Sequence, residues 1–254
     1  MTGLARRGLE AFLKRKAAPP SESRETMTLP DGTEIALRIR RHPTARRLTL
    51  RLAPDGSEVR VTIPRWAPFS EARAFALSRT EWLAGQRRAV PQRAPVMPGS
   101  TVAYRGRALA IEWQALLPRR PAILGNTIRV GGPAEGIEQR LRRWLESEAL
   151  ALCGTDLAYF CDIACQPVPD LRLSRAQRRW GSCSSSGTVR INWRLVMAPD
   201  HVRRSVVAHE VAHLVHFDHS PAFHALLAQI YDGDIAEADR WLKRHGRTLH
   251  AAFG

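Results

Sequence analysis

From His209 to His219 the chain reads H-E-V-A-H-L-V-H-F-D-H. Residues four apart lie on the same face of a helix, one turn from each other, so His209 and His213 can direct both imidazoles at one metal ion. Glu210 points about 100° around the helix and can stand beside that ion without ligating it. Zinc held in this way lowers the pKa of a water on it to about 7, and a neighbouring carboxylate can take the proton. The pattern therefore predicts a zinc hydrolase with Glu210 as general base. The rest of the segment is apolar (Val206, Val207, Val211, Ala212, Leu214), so the polar trio interrupts a face that should be buried. Buried ionisable groups must be paired or ligating to avoid a desolvation cost of several kcal/mol.

Four residues compete for the third ligand: His216, His219, His224 and Glu237. His216 lies two turns from His209 and reaches poorly to an ion shared by His209 and His213. The chain must turn before Ser220, which swings His219 back under the metal. That gives the H-E-x-x-H-x-x-x-x-x-H ligand spacing of the metzincins, although those have Gly where this chain has His216. The reading favours His219, with Glu237, the ligand type that gluzincins take from a later helix, as the alternative. His216 reads as a helix cap or a support for the ligands, and His224 and His201 as ordinary histidines.

Upstream, Trp180-Gly181-Ser182-Cys183 has a physical reading of its own. Gly181 lets the backbone approach a neighbour closely, and Trp180 supplies a large apolar wall. A short exposed strand here could pair with an extended peptide; a Trp-anchored turn packed under the metal helix explains the same residues equally well. Arg179, with Arg178, could hold an oxyanion or a phosphate. Trp180, Gly181, Ser182 and Arg179 are thus the candidate substrate-binding residues. Cys183 is not needed as a nucleophile when a metal supplies the chemistry.

The segments RRWGSCSSSGTVRINWRLVMAP and VVAHEVAHLVHFDHSPAFH are together similar to the YgjP-like metallopeptidase family, which is related to the SprT-like zinc proteases. The likeness is strongest over residues 170–250 and extends more loosely to HPTARRLTLRL and the strand-rich first half. Carried over by position, it implies His209, His213 and His219 as ligands and Glu210 as general base, with Asp218-His219-Ser220 as the turn that presents the third ligand. This chain departs at His224, where relatives place a large aromatic. The implied fold class is α+β: a β-rich N-terminal half, then a mainly helical, zincin-like catalytic domain with a short sheet.

The elements that must position these groups follow from periodicity. Ile35, Leu37 and Ile39 alternate with polar residues, as do Leu48, Leu50 and Leu52 and then Val59, Val61 and Ile63, with turn residues at Pro54-Asp55-Gly56-Ser57. One helix is expected from Ser70 to about Arg88, followed by short strands at 102–104, 109–113 and 123–130. Glu135 to about Cys165 is helical, and Leu171–Leu173 and Val189–Leu195 read as strands. Pro199-Asp200 starts the metal helix. Ser220 with Pro221 starts the next, and Asp234 with Glu237 starts a last helix that Gly246 is expected to end. No internal repeat is apparent. The expected organisation is a basic, disordered tail over 1–26 (with an amphipathic helix through Leu4, Leu9, Phe12 and Leu13 as the alternative), a β-rich region with one helix over 27–132, and a metallopeptidase domain over 133–254.

The chain has 254 residues and a net charge of +15, very unevenly spread: residues 1–130 carry 24 basic and 10 acidic side chains. Such asymmetry suggests an anionic partner, nucleic acid or nucleotide, for the first half. An arginine-biased composition with only three lysines explains it as well. No run of 18 apolar residues is present, so no membrane span is expected. The N-terminus does not read as a secretion signal, and the scattered Cys153, Cys161, Cys165 and Cys183 read as free thiols of a cytoplasmic protein. Three functions remain: a zinc metallopeptidase acting on peptides or proteins, a metal-dependent pyrophosphohydrolase of nucleoside triphosphates, and a nucleic-acid-associated protease or binding module.

Overall fold

In a computed structural model, which describes residues 21–53, 55–90 and 95–253, strands dominate as far as Val130 and helices thereafter. The readings placed on residues 1–20 and on Pro54 lie outside the described residues. Two compact units, Met1–Ala89 and Val90–Gly254, are separated.

In the first unit, β1 (Glu22–Thr28), β2 (Glu34–Arg41), β3 (Thr49–Leu52) and β4 (Glu58–Ile63) form a sheet of order β1-β2-β4-β3. The outer pairs are antiparallel and the central β2–β4 pair is parallel. Period-2 alternation puts Ile35, Leu37, Ile39, Val59, Val61 and Ile63 on one face, each at most 4% exposed, in a core shared with Ala72, Ala76 and Leu83. The single helix expected over 70–88 is instead two, α1 (Phe69–Leu77) and α2 (Thr80–Arg88). The hydroxyls of Ser78 and Thr80 donate to the Phe75 and Leu77 carbonyls, which interrupts the ladder between them. The tail is expected to run to residue 26, but Glu22–Thr26 pair with β2. Their alternation is carried by charges, Glu22 accepting from Arg24 and Arg38, and only Met27 is buried, so no apolar rhythm marks the strand.

In the second unit, β5 (Thr101–Tyr104), β6 (Arg107–Trp113), β7 (Ala122–Leu124) and β8 (Thr127–Val130) form a sheet of order β5-β6-β8-β7 with the same succession of antiparallel, parallel and antiparallel pairs. The plan of the first sheet is thus repeated, although no sequence repeat is apparent; the two copies share strand order and pairing direction rather than side chains. Sequence alone grouped this sheet with the first. Its Val102, Leu109, Ile111, Ile128 and Val130 belong instead to one core with the helices that follow. These are α3 (Ile137–Ile163), α4 (Asp200–Val215), α5 (Pro221–Ile230) and α6 (Ile235–Ala251). Between α3 and α4 lies a small sheet of β9 (Leu171–Ser174), β10 (Gly181–Cys183) and β11 (Val189–Asn192), of order β10-β11-β9, so β10 is an edge strand. Among the described residues, no helix is long and apolar enough to cross a membrane.

Helix α4 is anchored before it reaches the site. Arg203, 3% exposed, donates to Asp156 of α3 at 2.8 Å and to Asp200 at 2.5 Å, while Arg204 donates to Asp156 at 3.1 Å. From the β5–β6 turn, the backbone N–H groups of Arg105 and Gly106 donate to the carbonyls of Val196 and Met197, and the Arg105 guanidinium pairs with Asp200 in the first turn of α4. A carboxylate in a first turn also complements the helix dipole.

Candidate metal centre

The exit from α4 sets the geometry. His216 leaves the helical path at φ −127°, ψ 109°, and its carbonyl accepts a hydrogen bond from His213 Nδ1 at 2.9 Å. A carbonyl only accepts, so Nδ1 carries the proton and His213 Nε2 keeps its lone pair for a ligand. It is the backbone of His216, not its imidazole, that supports the site. The chain then turns through Asp218, whose carboxylate accepts from Ser220. Ser220 caps α5 by accepting from the Phe223 N–H, with Pro221 in the first turn.

This turn returns His219 to α4. The side chains of His209, His213 and His219 each offer a ligand nitrogen, all within 4.8 Å of one another, and the Nε2 atoms of His209 and His219 face each other at 3.2 Å. Imidazole nitrogens on one tetrahedral ion at 2.0–2.1 Å stand about 3.4 Å apart. Phe223, fully buried, packs its ring against all three imidazoles, with centroids 5.0, 4.6 and 4.8 Å from those of His209, His213 and His219. Of the rival third ligands, Glu237 is exposed in the first turn of α6 and stands outside the cluster. His224 is exposed, its ring 6.3 Å from that of His219. Burial and the neighbouring imidazoles hold His209 down to about 4, so it is neutral at pH 7 and ready to ligate.

Glu210 is 5% exposed, and burial pushes its carboxyl up to about 7, against the opposing pull of the Cys183 N–H and Arg179. Its Oε2 is buried with no hydrogen-bond partner. An orphaned carboxylate oxygen beside three convergent imidazoles leaves room for a group that donates to it, and this donor set fits a transition-metal ion with one open position.

The strand β10 passes directly over Glu210. A Cβ built on Gly181 would lie 2.3 Å from Glu210 Oε1, so any larger residue would push the carboxylate aside. Two cavities open on either side. One of about 250 Å³ is lined by Arg179, Gly181, Ser182, Cys183, His213 and Phe217, together with His209 and Glu210. The other, of about 570 Å³, shares Gly181, His209 and Glu210 and is walled by Trp180, Val206, Phe223, Leu227 and Leu242, with His224 at its lining. All four candidate substrate-binding residues therefore line this cleft; Arg178 does not. Trp180 stacks on His250 at 4.6 Å and rests on Gly246, where a Cβ would meet its Cζ2 at 2.9 Å. Gly246, expected to end α6, lies inside that helix as a seat for the indole.

Sequence reasoning missed Phe223, the His216 carbonyl and the Asp156–Arg203 pair. Only Phe223 left a local signal, an aromatic at the third position of a capped helix just after the last histidine.

The family model described as "YgjP-like, metallopeptidase domain" matches residues 46–245. No curated protein matches the chain. Among solved structures, the crystal structure of the metallopeptidase zymogen of Pyrococcus abyssi abylysin is similar with a TM-score of 0.31 and 20% identity, over 40% of this chain and 96% of that one.

Proposed function

The chain belongs to the YgjP-like metallopeptidase family, and on that footing we propose that it is a zinc-dependent peptidase whose centre is His209, His213 and His219, with Glu210 as the general base. The observation that carries the reading is the convergence of three imidazoles beside a buried, half-satisfied carboxylate. Zinc, when bound, would polarise the scissile carbonyl and the attacking water. Three nitrogen ligands suit zinc, whereas phosphoanhydride chemistry recruits magnesium through carboxylates, and none joins this cluster. That favours peptides over nucleoside triphosphates.

The chain's own groups do the rest. Burial leaves Glu210 basic enough to take the proton of the attacking water and acidic enough to return it to the leaving amine. The edge strand Gly181–Cys183 aligns an extended peptide by backbone pairing, which fixes the scissile bond over Glu210. Arg179, exposed at the mouth of the smaller cavity, neutralises negative charge developing on the substrate. The larger cavity accepts a bulky apolar side chain next to that bond.

The test pairs metal analysis with turnover. Purified protein should bind one zinc and cleave unfolded protein substrates. Glu210→Gln should keep the zinc and lose activity by 10²-fold or more. Zinc retained with activity intact in Glu210→Gln removes the general base from the scheme.

A further inference from the structure

The start of α3 forms a second cleft, outside the metal centre, of about 580 Å³. Four arginines line it, Arg119, Arg120, Arg140 and Arg143, and no carboxylate does. Gly136, Arg140, Arg143 and Ser147 recur at intervals of four, three and four, so they share one helix face. Arg119 and Arg120 come from the opposite wall, in a segment bracketed by Pro118 and Pro121.

Each wall holds one of its arginines in place, Arg119 on one side and Arg140 on the other. Backbone N–H groups of Gly131 and Gly132 donate to the carbonyls of Pro118 and Ala115, pinning the loop at 2.9 and 3.2 Å. Gly132 has φ +83°, and a Cβ there would meet Arg119 Cγ at 3.0 Å, so the arginine stem lies across the glycine. On the other wall a Cβ on Gly136 would stand 2.7 Å from Arg140 Nη1. Arg140 is further fixed by donating from Nη2 to the Pro133 carbonyl at 2.5 Å, while its Nε is buried without an acceptor. Elsewhere in the described residues, arginines such as Arg38, Arg105, Arg175 and Arg203 face carboxylates. Here like charges converge on one hollow whose lining holds no carboxylate, a destabilising arrangement that a multivalent anion relieves.

We propose that this cleft is a binding site for a small molecule carrying two or more phosphoryl groups. Guanidinium forks match phosphate oxygens in geometry as well as charge. The hollow is of nucleotide size, and Trp144, 9% exposed, is an apolar part of its lining beside the charges. The site is separate from the peptidase reading and stands or falls without it.

Calorimetric titration of the full chain with inorganic tripolyphosphate and with ATP tests the assignment, in metal-loaded and chelator-treated protein alike, so that phosphate ligation at the histidines is identified. Saturable binding in both preparations is expected, weakened at least tenfold by Arg140→Gln combined with Arg143→Gln. Should the double variant not fold, the exposed Arg143→Gln alone should weaken binding several-fold. Equal affinities for the two ligands mean that the phosphate chain is recognised, and tighter ATP binding assigns a nucleotide; both uphold the site. It is overturned by no binding, by binding only when metal is present, by equal affinity for an oligoglutamate peptide, or by an equal loss on changing Arg46 and Arg47 to Gln.

Discussion

Glu210 and Gly181 touch across the site so closely that the carboxylate's Oε1 occupies the space where any larger residue at 181 would place its Cβ, 2.3 Å away. The glycine therefore sets the position of the Glu210 carboxylate. In Gly181→Ala the carboxylate must shift by about 1 Å, a displacement that can cost 10²-fold in rate. Peptide hydrolysis should fall by about that factor while zinc stoichiometry, read by elemental analysis, stays at the wild-type value. Full activity in this variant would show that Glu210 does not work from the position described.

The Asp156–Arg203 pair fixes α4 against α3 with both side chains at most 5% exposed. Removing one partner of a buried pair leaves an uncompensated charge and costs about 3–5 kcal/mol. Asp156→Ala should lower the urea midpoint accordingly and also weaken zinc binding, because the helix carrying two of the three histidines loses its anchor. A midpoint within error of wild type would mean that the pair does not anchor the helix.

Acid should weaken the fold through His250. Burial holds this imidazole down to about 4, from an ordinary 6.5, with Arg194 adding to the effect. Between those values the unfolded chain binds a proton that the native state refuses, so stability falls as pH drops from about 6.5 towards 4. His250→Phe preserves an aromatic surface for Trp180 and should flatten that acid limb. Urea midpoints at pH 7, 6 and 5 decide the matter; parallel slopes in the two proteins exclude the contribution.

Selectivity should reside in the larger cavity. Leu242→Trp reduces the space between Trp180 and Phe223, so kcat/KM for peptides with Phe beside the scissile bond should fall about 10- to 100-fold relative to Ala peptides. An unchanged ratio would place the discriminating contacts elsewhere.

Legibility in the sequence followed locality. Alternation at 35–39 and 59–63 marked β2 and β4, and the His209/His213 interval marked the metal helix, because each depends on neighbours within a few residues. What escaped depends on distant partners. The parallel pairing of β2 with β4 has no local mark, and the start of β1 is hidden under charges. Gly246 read as a terminator because its reason for being small, the Trp180 indole, lies 66 residues away in the chain. Asp156 and Arg203 are separated by 47 positions, so no local pattern marks them as partners.

The abrupt end of α4 at His216 has a meaning beyond topology. A helix that ran one more turn would use the residue 216 carbonyl in its own ladder, so that the proton on His213 would lose its acceptor, and His219 would be carried off along the helix axis. The stop is accordingly part of what brings the three imidazoles together. Substitutions near Val215–Phe217 that favour continued winding should be as damaging as loss of a histidine, although they delete no functional group.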